Sequence, residues 1–332
     1  MKLKIIFGNG FDKNLGLNTT YKDFYKWLDE NQKKESDEIY CNIKEMPENW
    51  SDLELALGKY TFDNEIIPDK FEESYANLIE DLNEYLLLEQ EKIGTQFSIE
   101  DSITELFYSI EKNLVETGQN KNSQIIHRYL SEQTEVNFVT FNYTDTVEKT
   151  MSKKTIGISK DGKTVLVILR NPIHVHGTLN SSMVLGVNDE TQFKSEIFDN
   201  DFPEFFIKNK NLTDHVNSTE LDKALEVIDS SDVLFLFGVS LGDTDKVYWE
   251  KIAEWLLYGG DEHIVLLYDY ETPMGSISKV VQRRMERSWN KTKDKFLKQS
   301  GLSSDDQKLI SKQIFPLYGN GFFNIEEAQK NQ

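Results

Sequence analysis

The chain opens with Lys2-Leu3-Lys4-Ile5-Ile6-Phe7 followed directly by Gly8-Asn9-Gly10, and this segment sets the expected fold class. We interpret the first six residues as a short apolar strand of the kind that is buried on both faces of a parallel sheet. The strand ends abruptly at the glycines. Helical spacing then begins at Tyr21 and continues with Phe24 and Leu28. A strand, a glycine turn and a helix in this order predict an α/β protein.

Strand patterns resume only after about 130 residues. They cover Val136–Phe141, Thr164–Leu169, Ile173–Val175, Val233–Phe237 and His263–Tyr268. Apolar strands that alternate with helices predict a Rossmann-like, mostly parallel sheet. We therefore expect one Rossmann-like domain, residues 1–20 and 131–332, with a large helical insertion, residues 21–130, that covers the pocket.

The composition restricts the class of ligand. The 332 residues include 37 Lys plus Arg and 57 Asp plus Glu, which gives a formal net charge of −20. This charge argues against bulk contact with nucleic acid or an anionic membrane, because both require a positive surface. Cys41 is the only cysteine, so neither an intramolecular disulfide nor a zinc site of several thiolates can form. The longest apolar run, Val233–Leu241, is too short to span a membrane, and we expect a cytoplasmic protein.

Small and polar residues follow the predicted strands. They are Gly8-Asn9-Gly10-Phe11-Asp12, Asn142-Tyr143-Thr144-Asp145, His176-Gly177-Thr178, Gly238-Val239-Ser240-Leu241-Gly242-Asp243 and Tyr268-Asp269. Open parallel sheets bind ligands beyond the carboxyl ends of their strands, so we expect one shared pocket. The glycine loop suits a pyrophosphate, because its backbone N–H groups can approach one. It is not the dehydrogenase fingerprint, since Lys13 occupies the third glycine position.

Two histidines need separate interpretation. His176 follows a strand and precedes glycine, which favours a general base or a proton relay. His174 lies two residues earlier on the same face of the strand. One alternative is therefore that His174 and His176 both bind a metal, with Asp145 or Asp189, which are distant in sequence, as a further ligand. A purely structural histidine is the other alternative.

Several other polar side chains each allow two interpretations. Asn142 can orient a water or a carboxamide, or it can cap a helix that begins near Tyr143. Asp145 can stabilise positive charge on a sugar, or it can be a favourable acid in a first helical turn. The same ambiguity applies to Asp245. Glu54 can line a pocket, or it can form a capping box with Ser51.

Taken together, the motifs resemble the bacteriophage abortive infection AbiH family. The segments that carry the resemblance are Gly8–Asp12, Gly16–Tyr21 with Phe24, Trp50–Gly58, Thr140–Thr144, His174–Gly177 and Gly238–Asp245. The family is in turn similar to the sirtuin-like NAD-binding superfamily, which is Rossmann-like.

The resemblance implies roles for particular residues. Those expected to bind the cofactor are Gly8, Asn9, Gly10, Phe11, Asp12, Gly238, Ser240, Asp245 and Asp269. Asn142 corresponds to the asparagine near nicotinamide and His176 to the histidine of the His-Gly pair. Asp145 completes the expected catalytic group, although two residues separate it from Asn142 where sirtuins usually have one. A protein deacylase is not expected, because the sirtuin zinc module needs four cysteines.

The function expected from this resemblance is antiphage defence by hydrolysis of the nicotinamide–ribose bond of NAD. NAD would be the substrate, and no metal is expected. Such an activity would need restraint, by a homo-oligomer or by an unknown phage-derived trigger. The alternatives are a sensor that binds NAD or another nucleotide without turnover, and a nuclease or nucleotide hydrolase whose metal is held by Asp12, Asp243, Asp245 and His176.

Overall fold

A mostly parallel sheet of eight strands, with helices on both faces, organises the chain in the computed structural model. The structure describes residues 1–31, 33, 37–94, 97–116, 119–130, 133–160, 162–181, 183–199, 201–208, 218–268 and 279–317. The strands are β1 (Lys2–Phe7), β2 (Thr134–Thr140), β3 (Thr155–Lys160), β4 (Lys163–Leu169), β5 (Ile173–His174), β6 (Val233–Phe237), β7 (Ile264–Tyr268) and β8 (Ile314–Leu317).

Thirteen α-helices lie in the described residues. They are α1 (Gly10–Asn14), α2 (Tyr21–Glu30), α3 (Glu38–Glu45), α4 (Leu53–Asp63), α5 (Pro68–Gln90), α6 (Ile99–Glu116), α7 (Asn120–Leu130), α8 (Thr146–Thr150), α9 (Phe202–Phe206), α10 (Ser218–Asp229), α11 (Lys246–Gly259), α12 (Lys279–Gln299) and α13 (Ser304–Ile310).

The strand order confirms the predicted α/β class. The order across the sheet is β3-β4-β2-β1-β6-β7-β8, and β5 pairs with β2 beyond the end of β4. All pairs are parallel except the β3–β4 hairpin. When β3 and β5 are left out, the order β4-β2-β1-β6-β7-β8 is that of a doubly wound dinucleotide-binding sheet. In such a sheet, successive strands are added first on one side of β1 and then, from β6 onward, on its other side. The carboxyl ends of β1 and β6 therefore flank the position where such folds bind ligands.

The predicted strands are confirmed with slightly shifted ends, and two further strands were missed. β3 is an antiparallel edge strand whose pattern is weakened by Gly157 and by exposed positions. β8 is the opposite edge strand and contains Pro316, a residue that sheets tolerate mainly at an edge.

Lys4 is the exception in the first strand, which was expected to be apolar. It is buried and donates a hydrogen bond to Asn137 Oδ1, and burial lowers the pKa of its ammonium to about 8.

Successive side chains of β1 point to opposite faces of the sheet, and each face has its own core. Ile5 and Phe7 belong to the core that also contains buried residues of α6 and α7, whereas Ile6 packs in the core with α10 and α11. Helices α2 to α5 form a third core with residues between 143 and 207. The expected insertion, residues 21–130, is thus helical where it is described, but α6 and α7 pack on the sheet itself. Its boundaries as a domain remain a prediction.

Candidate functional site

A polar cavity of about 370 Å³ lies at the carboxyl ends of β1, β2 and β6. Its walls come from strand-end loops and from the first residues of the helical region. The lining residues are Gly8, Asn9, Asp12, Lys13, Thr19, Thr20, Tyr21, Ser51, Asp52, Glu54, Leu82, Leu86, Phe141, Asn142, Tyr143, Thr144, His176, Gly238, Val239, Ser240, Thr244, Asp245 and Trp249. Most of the predicted site residues therefore meet in one cavity.

A larger cavity, about 900 Å³, lies between α2 and α3 and shares Thr20, Tyr21 and Ser51 with the polar cavity. Its lining includes four lysines, Lys22, Lys26, Lys33 and Lys44, and Lys44 is paired with Asp29 at 2.7 Å. None of the predicted catalytic side chains reaches it. We therefore regard the smaller polar cavity as the candidate site.

Glycines allow the loops after β1 and β6 to touch. A Cβ atom on Gly8 would lie 2.6 Å from Gly238 O, and one on Gly238 would lie 2.6 Å from Gly10 Cα. The N–H of Gly8 donates to Phe237 O, and the N–H of Gly10 donates to Gly238 O, both at 3.0 Å. These two N–H groups are engaged within the protein, which differs from the expectation that they would receive a pyrophosphate.

Phe11 belongs to the core. Its ring is fully buried and stacks on Phe7, with 4.2 Å between ring centroids. Phe97 and Phe237 pack against it edge-on. The side chain of Phe11 thus anchors α1 in the core, and the assignment of Phe11 to a cofactor-binding loop stays a prediction.

Asp12 fixes the loop that follows β2. Its buried carboxylate accepts hydrogen bonds from Thr144 Oγ1 at 2.6 Å, from Thr146 Oγ1 at 2.8 Å and from Asn142 Nδ2 at 3.0 Å. Burial raises the pKa of this carboxyl to about 6, and the three hydrogen bonds offset only part of the effect. Asp12 contributes to the site by holding its neighbours in place.

Asn142 is oriented by the same contacts. Its Nδ2 donates both to Gly8 O, at 3.2 Å, and to Asp12 Oδ1. With both amide hydrogens engaged, the side chain offers its Oδ1 as an acceptor. The helix-cap alternative is wrong, because α8 begins at Thr146 and Asp145 occupies its N-cap position.

His176 and Asp245 form a buried pair beside the cavity. His176 Nε2 lies 3.0 Å from Asp245 Oδ1, which is an ion-pair distance. Nevertheless, the N–H direction does not meet the oxygen, and the buried Nε2 has no hydrogen-bond partner within the described residues. The rings of Phe141 and Tyr143 lie 5.4 and 6.3 Å from the imidazole.

Lys208 connects Asp245 to Glu54. Its buried ammonium donates to Glu54 Oε2 at 2.6 Å and to Asp245 Oδ1 at 3.0 Å. Burial alone would raise the pKa of Asp245, but Lys208 and His176 outweigh it and hold that pKa far below the ordinary value. At Glu54 burial dominates, so the pKa is raised despite Lys208. The two carboxyl groups are thus shifted in opposite directions, which is typical of functional sites.

The capping-box interpretation of Glu54 is wrong. The N-cap of α4 is Asp52, whose side chain accepts from the N–H of Leu55 at 3.1 Å. Glu54 instead points into the buried ionic network.

Lys208 was not predicted as a site residue, because its own sequence neighbourhood carries no motif. Its N–H donates to Val187 O at 2.9 Å, and this backbone contact brings the lysine to the cavity.

The remaining predicted residues have different positions. Gly238 and Ser240 line the cavity, whereas Asp145 lies outside its lining and accepts a hydrogen bond from Asn180 Nδ2 at 3.0 Å. Asp243 accepts from Gln299 Nε2 at 2.7 Å. Asp269 lies outside the described residues.

His174 and His176 do not share a ligand position. His174 Nδ1 lies 3.2 Å from Asn142 O, and its Nε2 lies 2.9 Å from Glu148 Oε1. Burial lowers the pKa of His174, but Glu148 more than compensates, so the pKa is raised. Within the described residues, the group of three or more His, Cys, Asp or Glu side chains with converging ligand atoms is Asp145, Glu148 and His174. The set Asp12, Asp243, Asp245 and His176 does not converge in this way.

Within the part of the chain that the structure describes, no helix combines the length and the apolar character needed to cross a membrane.

These features define a doubly wound α/β protein with a buried ionic network at the carboxyl ends of its parallel strands. The chain belongs to the family described as bacteriophage abortive infection AbiH, which matches residues 5–259, and it is therefore an abortive infection antiphage defence protein. A comparison with curated proteins found no match. Among solved structures, the chain is similar to Toc33 from Arabidopsis thaliana in complex with GDP and Mg²⁺, with 10% identity over 67% of this chain and 79% of that chain. The TM-score of 0.28 is too low for conclusions about function.

Proposed function

We propose that this chain hydrolyses the nicotinamide–ribose bond of NAD in the polar cavity. The observation that carries the proposal is the approach, within one cavity, of an oriented amide oxygen on Asn142 and the buried pair of His176 and Asp245. Cleavage of this bond develops positive charge on the ribose. A site for the reaction needs an anionic group, an acceptor for the water proton and a fixed orientation of nicotinamide.

Asn142 would orient the leaving group. Because Asp12 and Gly8 occupy its two amide hydrogens, Asn142 can meet a ligand only as an acceptor. The carboxamide NH₂ of nicotinamide is a matching donor. This polarity favours a neutral amide over a carboxylate at the same position, because two acceptors would repel each other.

His176 and Asp245 would act on the water. The C1′–nitrogen bond breaks with its electron pair on nicotinamide, which leaves as a neutral molecule. Water then adds to C1′ while His176 accepts its proton, and the products are ADP-ribose, nicotinamide and one proton. Asp245 remains ionised beside the ammonium of Lys208, so its negative charge favours both the imidazolium that forms at His176 and the cationic sugar.

The test begins with purified chain and NAD, in EDTA, with and without lysate of phage-infected cells. Binding is measured by calorimetry, and nicotinamide and ADP-ribose are measured by chromatography. Release of equal amounts of both products in EDTA supports the proposal. The lysate is included because an abortive activity needs restraint before infection, through a phage-derived trigger or a homo-oligomer.

Two other outcomes would overturn the proposal. Tight NAD binding without turnover, even with the lysate, would favour a nucleotide sensor. Cleavage of nucleic acid or release of phosphate that disappears in EDTA would favour a metal-dependent nuclease or nucleotide hydrolase. The net charge of −20 argues against a long nucleic-acid substrate but not against a mononucleotide.

A further inference from the structure

Asp145, Glu148 and His174 bring three ligand atoms together next to Asn142, and none of the three residues belongs to the cavity lining. Their ligand atoms all lie within 4.8 Å of one another. Asp145 is the N-cap residue of α8, Glu148 lies in its first turn, and His174 ends β5. The group therefore joins a helix to the edge of the sheet.

The geometry of the His174 imidazole calls for a proton or a cation at its Nε2. Asn142 O can only accept, so Nδ1 must carry a hydrogen and donate to it. In the neutral imidazole, Nε2 then carries a lone pair, and the group that faces it at 2.9 Å is the Glu148 carboxylate, another acceptor. The ring is about nine-tenths buried, with 9% of the side chain exposed. A proton or a metal cation between the two atoms removes this repulsion.

The contacts around the group are those of a metal site. A metal-bound histidine usually donates its second ring N–H to a backbone carbonyl or a carboxylate, as His174 does to Asn142 O. Ligating carboxylates are usually hydrogen-bonded themselves, and Asn180 Nδ2 donates to Asp145 Oδ2 at 3.0 Å. Glu148 is 39% exposed, which leaves a path for an ion from solvent.

We propose that Asp145, Glu148 and His174 bind one divalent cation of the zinc class. One imidazole nitrogen and two carboxylate oxygens suit Zn²⁺ better than Mg²⁺, which prefers oxygen ligands alone. Ligands of a tetrahedral zinc ion lie about 3.3 Å apart, given metal–ligand distances of about 2.0 Å. His174 Nε2 and Glu148 Oε1 lie 2.9 Å apart, slightly inside that spacing, and no pair in the group exceeds 4.8 Å. Side-chain shifts of about 1.5 Å at most would therefore bring the three ligand atoms to one ion.

The consequence would be a fixed position for Asn142. The cation would hold the His174 ring, and the ring N–H would hold the backbone carbonyl of Asn142. The ion would thus act as a positioning element and would not contact the NAD substrate of the proposed function. The hydrogen bond between the ring and Asn142 O forms with either a proton or an ion on Nε2, so NAD hydrolysis is still expected in EDTA, and the zinc proposal holds or fails independently of it.

The experiment uses full-length protein dialysed against EDTA and then titrated with ZnCl₂ at pH 7.5, without NAD. Calorimetry and elemental analysis after gel filtration should give one zinc per chain, and MgCl₂ should bind far more weakly. Glu148→Gln should weaken zinc binding at least tenfold, as about 10–100-fold losses follow even from changes in outer partners of metal ligands. Asp145→Asn should act in the same direction.

The matched control is His127→Gln. His127 Nδ1 lies 3.0 Å from Glu111 Oε1, so this is a second histidine–carboxylate pair, but it does not belong to a three-ligand group in the described residues. Zinc binding should remain unchanged in this variant. No zinc uptake by the wild type, or equal uptake by wild type and Glu148→Gln, would overturn the proposal and assign the positive charge to a proton on His174. Circular dichroism confirms that each variant is folded before titration.

Discussion

The ammonium of Lys208 lies 3.0 Å from the carboxylate of Asp245, and both side chains are buried at the carboxyl ends of the sheet. The same ammonium reaches Glu54 at 2.6 Å. The ammonium of Lys208 thus lies between two buried carboxyl groups. Their protonation states depend on one another, and removal of the lysine affects both acids.

We predict that Lys208→Met strongly destabilises the fold, because it leaves Asp245 and Glu54 buried without their countercharge. The expected loss in the free energy of unfolding is about 3–5 kcal/mol. Urea denaturation measures it. The control is Lys223→Met, which breaks the exposed pair with Glu220 and should cost at most about 1 kcal/mol. Equal losses in the two variants would show that the buried network is not formed.

Asp12 should give the folded state a characteristic pH dependence. Burial raises its pKa from 3.8 to about 6, so the folded state binds this proton more tightly than the unfolded state. The contribution of Asp12 to stability is therefore greatest below pH 3.8 and is lost as the pH rises through about 6. The difference of about two pKa units corresponds to about 3 kcal/mol.

Asp12→Asn removes this titration. The free energy of unfolding of the wild type and of Asp12→Asn is to be measured by urea denaturation between about pH 4 and about pH 7.5, which covers the window of this titration. The wild type should lose stability relative to the variant between about pH 4 and pH 6.5. A constant difference across this range would mean that Asp12 has an ordinary pKa and is not buried as described.

Gly8→Ala should disturb the contact between the loops after β1 and β6. Its Cβ would lie 2.6 Å from Gly238 O and 2.7 Å from Val239 Cα, so the backbone must shift. We expect a loss of about 1–3 kcal/mol, as for other overpacked sites, together with weaker NAD binding in calorimetry. Gly242→Ala is the control, because the nearest atom to its Cβ is Ser240 Oγ at an ordinary 3.5 Å. If both variants behave like the wild type, the two loops do not touch.

The sequence predicted the sheet well because its central strands are short, apolar and bounded by glycine or polar residues. The cavity at their carboxyl ends followed from the same pattern, and Asn142, His176 and Asp245 meet there. The edge strands were missed because β3 has exposed positions and β8 contains Pro316. Local periodicity is weakest where a strand has a neighbour on one side only.

Lys208 shows what the sequence could not provide. Its partners Glu54 and Asp245 lie 154 and 37 positions away along the chain, so no local spacing connects them.

Phe11 shows that a clear sequence motif does not fix what a neighbouring side chain contacts. It follows the glycine loop that the resemblance assigned to the cofactor, yet its ring packs on Phe7 in the core. Position next to a motif does not determine the direction of a side chain.

The central claim is that the cavity cleaves NAD with Asn142 as an oriented acceptor. The most direct measurement is nicotinamide release from NAD in EDTA by the wild type, Asn142→Ala and the control Asn31→Ala, whose exposed amide donates to Trp27 O outside the cavity lining. The account predicts release by the wild type and by Asn31→Ala. It predicts a loss of at least about 100-fold for Asn142→Ala, the scale seen when an orienting contact is removed. Equal rates for all three proteins, or no release by the wild type with infected-cell lysate present, would contradict it.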